Sequence, residues 1–152
     1  MPCYLFSRVD VPTPTEFIVQ CDREHEVIRR LYDDMVIADF GIYRDASLKK
    51  ILKVLTLYVK FHFSREHDFM FATEYYDIEY HSIVHNRFVL DLNEIKQDYE
   101  NGLDVHERIK ILHHTKTSSH IMNTDLRLLE FARSMSKSCR YNPCGRCAAP
   151  ID

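Results

Sequence analysis

Histidines at helical spacing are the residues of this chain that could do chemistry together. The chain has nine of them in 152 residues. His62-x-x-x-Glu66 and His81-x-x-x-His85 are pairs four residues apart, a spacing that puts both side chains on one helix face. His25 and His120 stand singly, and Asp125 follows His120 by five residues. Imidazole and carboxylate suit iron, manganese or zinc, so the chemistry in view is metal coordination. His67, His106, His113 and His114 fit no such spacing and are expected to be surface or partly buried side chains.

Apolar residues recurring every three or four positions define the elements that must carry these groups. Ile18, Cys21, His25, Ile28, Tyr32 and Met35 form a first helical stripe, expected to stop near Gly41. A second helix, with a start signal at Asp45 to Ser47, carries Leu48, Ile51, Leu55, Tyr58, His62, Glu66 and Phe69 to about Glu74. The third opens at Asp77 with the stripe Ile78, His81, His85, Phe88, Leu92, Ile95 and Tyr99, and Asn101-Gly102 ends it. Asp104-x-x-Glu107 resembles a capping box for a fourth helix bearing Ile109, Leu112 and His120. Asp125 is about 140° out of phase with His120 on a regular helix. A local bulge, π-type in character, is therefore expected between them, with Leu129 and Ala132 continuing the stripe in the shifted frame.

With three glycines, and five prolines all outside residues 15–140, the composition predicts an all-α chain. The expected architecture is a single domain over residues 1–152, an up-down-up-down antiparallel four-helix bundle over about 16–136. An irregular arm (1–15), interrupted by Pro2, Pro12 and Pro14, precedes it, and a Cys-bearing tail (137–152) follows. A net charge of −3 with no concentrated basic stretch argues against nucleic acid and anionic membrane surfaces as partners. No apolar run reaches transmembrane length, and Met1 to Thr15 lack a signal-peptide pattern, so a cytoplasmic location is expected. Five cysteines, an odd number, do not suggest a secreted disulfide framework. Cys21 lies on the first stripe and is expected to be a small buried hydrophobe.

His25, His62, Glu66, His81, His85 and His120 all occupy core-facing positions. Each unpaired buried polar group costs on the order of 1–3 kcal/mol, so they must satisfy one another, and a shared metal centre does so. The set His25, His62-Phe63-x-x-Glu66, His81-x-x-x-His85 and His120-Ile121-x-x-x-Asp125 resembles the hemerythrin signature, in order and across four helices, over roughly residues 18–132. The resemblance implies two iron ions joined by an oxo or hydroxo bridge. His81, His85 and His120 would ligate one ion, His25 and His62 the other, and Glu66 and Asp125 both. It further implies an open position on the second ion that takes O2, or a small anion such as azide. Reversible O2 binding for carriage, storage or delivery, with no catalysis, is the expected function. Ile28 and Phe63 are the candidates to line an apolar O2 pocket.

The alternative is an O2 or redox sensor, or a di-iron enzyme handling peroxide or nitric oxide, with Tyr58 as a candidate proton donor. Ferritin-like di-iron enzymes use Glu-x-x-His motifs, and Glu24-His25 and Glu66-His67 have the wrong spacing for them. The chain departs from the pattern of bacterial members of that family in having no tryptophan. Phe17 is the nearest aromatic to the first usual position, and Lys116, at the second, would loosen the pocket wall. Cys139-x4-Cys144-x2-Cys147 has no counterpart in that family and reads as a disordered tail rather than a partial zinc or redox site.

Overall fold

The computed structural model describes residues 11–40, 44–117 and 120–138, and among these all regular structure is helical. In chain order the helices are α1 (Pro14–Phe40), α2 (Arg44–Ala72), α3 (Ile78–Glu100), α4 (His106–Ile111) and α5 (Leu126–Ser138). Two π-helical segments, π1 (Leu112–Thr117) and π2 (His120–Asp125), lie between α4 and α5. No helix among the described residues is long and apolar enough to cross a membrane. Cys3 and the Cys139, Cys144 and Cys147 tail lie outside the described residues, as does the side chain of Lys116.

The helix starts depart from the sequence expectation in instructive ways. α1 begins at Pro14, inside the stretch expected to be irregular. Proline is tolerated in a first turn, where its missing N–H would have had no partner anyway. Thr13 and Glu16 form the capping box: the Glu16 N–H donates to Thr13 Oγ1 at 3.3 Å, and Glu16 Oε2 accepts from the Thr13 N–H at 2.9 Å. α4 lacks the box expected of Asp104 and Glu107. Its N-cap is Val105, so Asp104 stands one residue too early and accepts from the His106 N–H at 3.1 Å. Glu107 turns instead to Lys110, at 3.0 Å. α3 closes as expected at Asn101-Gly102. Gly102 takes φ +77°, and the Leu103 N–H reaches back to the Asp98 carbonyl at 2.9 Å, the bond pattern of a glycine-terminated helix.

α1 packs on α2, α2 on α3, and α5 back onto α1. Their buried apolar residues fall into two clusters. One contains Ile28, Tyr32, Leu52, Leu55, Phe88 and Ile109, and the other Phe17, Phe69, Met70, Tyr75, Leu128 and Leu129. Between the clusters each long helix contributes its polar residues, and the order of encounter alternates along the chain. α1 runs from the second cluster through His25 to the first, and α2 from the first through His62 and Glu66 to the second. α3 meets the clusters in the same order as α1, while the α4–α5 stretch passes Ile109 and Leu112 before His120, Asp125 and then Leu128. The polar layer is thus sealed above and below by hydrocarbon.

Candidate metal centre

All seven side chains expected at the site are buried, none more than 6 % exposed. They form two overlapping groups: Glu66, His81, His85, His120 and Asp125, and His25, His62, Glu66 and Asp125. Within each group the candidate ligand atoms lie within 4.8 Å of one another. Period places them there for α1 to α3: His62/Glu66 and His81/His85 are one turn apart on the inward faces of α2 and α3. From His120 to Asp125 the π-helical segment does the placing. Its wider turn brings residues five apart onto one side, so both are buried, and Leu128, Leu129 and Ala132 follow in the new frame.

The two carboxylates divide their oxygens between the groups. Glu66 Oε1 faces His62 Nε2 at 3.5 Å, while Oε2 faces His85 Nε2 at 3.0 Å and His81 Nε2 at 3.5 Å. Asp125 Oδ2 meets His25 Nε2 at 2.9 Å, while Oδ1 meets His120 Nε2 at 2.9 Å and His81 Nε2 at 3.2 Å. The Nε2 atoms of His85 and His120 are 3.1 Å apart. His25 Nε2, His62 Nε2, His81 Nε2, Glu66 Oε2 and both Asp125 oxygens are buried without a hydrogen bond of normal geometry. Buried polar atoms are rarely left so, and a gathering of lone pairs at one depth is the arrangement that cations satisfy. The donor set therefore fits a metal: it could hold a metal ion in either group.

Electrostatics keep Glu66, Asp125 and His85 in their ligating forms. Burial and Asp125 push Glu66 upward, but His62, His81 and His85 outweigh them and hold its carboxyl low. Asp125 is held well below the usual range because His120, His25 and His81 overcome burial. Burial drives His85 down to about 4, leaving it neutral at physiological pH with a free lone pair. His81 goes the other way: burial pulls it down, but Asp125 and Glu66 raise it to about 9.

These shifts give the metal-free chain a defined pH dependence. A histidine raised on folding contributes stability below its ordinary value of 6.5, and that contribution fades as pH climbs toward 9. Carboxyls lowered on folding contribute above their ordinary range and lose it on acidification. The thermal midpoint of the chelated protein is therefore expected to fall between about pH 6.5 and 9, and metal uptake near neutrality to release a proton from His81. Calorimetry in buffers of different ionisation enthalpy reads that proton, and uptake without proton release would contradict this picture.

A small cavity of about 10 Å³ is lined on its polar side by His25, His62, His120 and Asp125. That is roughly room for one water. Its apolar wall is Ile28, Val59, Phe63, Phe88 and Ile121. Phe63 also stacks on His85, ring centroids 3.6 Å apart and nearly parallel, and meets His120 edge-on at 5.3 Å. Tyr58 is half-buried on α2 and is not among the cavity's lining residues.

Sequence reasoning missed two groups behind the candidate ligands. Glu24, 5 % exposed, places Oε2 2.7 Å from His62 Nδ1, and Arg65 Nη1 lies 2.5 Å from its Oε1. The signal available was a carboxylate directly preceding His25 in the sequence. Cys21, buried as expected, sits one turn before His25 with its Sγ 3.6 Å from Glu66 Oε1. Burial and the Glu66 and Asp125 carboxylates push its thiol well up, so it remains protonated as a weak donor. His67 and His114 are exposed, and His106 and His113 partly buried.

Comparison with protein-family models, characterised proteins and solved structures returns no match to this chain.

Proposed function

We propose that the chain is a hemerythrin-like up-down-up-down four-helix bundle that binds O2 reversibly at a non-heme di-iron centre. The observation that carries this reading is the division of oxygens: Glu66 and Asp125 each turn one oxygen to His25 or His62 and the other to the His81–His85–His120 group. Two carboxylates spanning two unequal sets of histidines are the donor pattern of a bridged pair of ions. The alternating order in which the helices meet the two apolar clusters supports antiparallel neighbours throughout.

His81, His85 and His120 would hold one ion and His25 and His62 the other, with Glu66 and Asp125 shared. A ferrous pair there supplies the two electrons that reversible O2 binding draws on. Everything else is the work of the chain. The two-histidine set has fewer protein donors, and the cavity walled by Ile28, Val59, Phe63, Phe88 and Ile121 reaches both of its histidines as well as His120 and Asp125. Its hydrocarbon wall would keep water and external reductants away from an ion held there. The ionised Glu66 and Asp125 offset the cationic charge, which makes burial tolerable. Phe63 holds His85 and His120 in place by ring contact.

The test is spectroscopic. The anaerobically reduced, iron-loaded chain is expected to colour on exposure to O2 and to return to the colourless form when O2 is removed. Azide added to the oxidised form is expected to shift the visible bands. Irreversible oxidation on first contact would overturn reversible binding and favour a sensor or an enzyme acting on peroxide or nitric oxide.

A further inference from the structure

Resting on the metal-centre reading above, we propose that Glu24, gripped by Arg65, is a positioning residue that tunes cation affinity in the His25–His62 half of the centre alone. Glu24 lies on α1 directly before His25, and its carboxylate crosses to α2, where it meets His62 and Arg65, three residues apart. One side chain thus ties together the two helices that supply both histidines of this half. Its Oε2, 2.7 Å from His62 Nδ1, requires that nitrogen to carry the proton and donate. The lone pair is then confined to Nε2, the atom 3.5 Å from Glu66 Oε1. An imidazole backed by a carboxylate is also a stronger electron donor, and its ring can no longer rotate freely.

Arg65 keeps the carboxylate in place. Its guanidinium sits 2.5 Å from Glu24 Oε1 and lies 5.4 Å from the centre of the Phe61 ring. A bare carboxylate this deeply buried would be costly, and the Arg65 charge offsets that cost. The other half of the centre is built differently: the outer Nδ1 atoms of His81 and His120 are buried without a protein partner. Outer support of this charged kind therefore falls on the two-histidine half, where protein donors are fewer and affinity depends most on each one.

The experiment titrates the metal-free 152-residue chain with zinc(II) by calorimetry and follows the histidine ring N–H signals by NMR. The unaltered chain is expected to take up two zinc ions in two phases. Glu24→Ala should weaken one phase by roughly 10–100-fold and leave the other unchanged, with loss of the hydrogen-bonded His62 Nδ1–H signal. Glu24→Gln, which keeps an acceptor without the charge, should restore the signal and part of the affinity. Arg65→Gln, at a side chain 28 % exposed, should weaken the same phase and carries the test if Glu24→Ala does not fold. Equal weakening of both phases, or of neither, overturns the proposal while leaving the metal centre standing. No zinc uptake by the unaltered chain overturns the metal-centre reading and this proposal with it.

Discussion

Asp125→Ala is expected to empty both metal positions, whereas His85→Ala empties one. Asp125 gives Oδ2 to His25 and Oδ1 to His120 and His81, so its loss removes a donor from each group at once. It also leaves three imidazoles in a dry interior without their shared counter-charge. The loss in affinity should exceed the roughly 10–100-fold that removal of an outer partner costs. His85 belongs to the first group only, and its removal leaves His25, His62, Glu66 and Asp125 together. Metal analysis of the purified variants, with circular dichroism to show that the helices persist, separates the two outcomes. Equal metal content in Asp125→Ala and His85→Ala would mean that the carboxylate is not shared.

Stripping the metal is expected to cost the protein a large part of its thermal stability. Seven buried donors from α1, α2, α3 and π2 meet between two apolar clusters, so cations bound there would act as a cross-link between these elements. A ligand present at a thousand times its dissociation constant stabilises by about 4 kcal/mol. In a chain of this length each kcal/mol moves the midpoint by about 2–4 °C, so chelation under reducing conditions should lower it by roughly 8–16 °C. Returning ferrous iron should restore it. A midpoint indifferent to chelator would mean that the donors satisfy one another without a cation.

The burial of the candidate ligands was legible because burial and helical period act on sequence directly. A histidine or glutamate on an apolar stripe must face the core, and α1 to α3 carry theirs where the stripes put them. The five-residue step from His120 to Asp125 was legible for the opposite reason: no regular α-helix brings both inward, and π2 is the distortion that does. What escaped were features set by tertiary pairing or by position at an end. Glu24 sits beside the stripe, and its role depends on His62 and Arg65, 38 and 41 residues away on another helix. The Pro14 start of α1 escaped because a proline breaks a helix interior yet suits a first turn, and only the Thr13–Glu16 bonds distinguish the two cases. The Asp104 box failed by one residue, which is enough to turn a helix cap into a local turn.

Diffraction from crystals of the iron-loaded protein, with anomalous scattering recorded at the iron edge, probes the convergence of these seven side chains most directly. Two iron peaks about 3.5–4 Å apart, with Glu66 and Asp125 each touching both, are the expected result. A single peak, or iron bound away from the layer between the two apolar clusters, would contradict it.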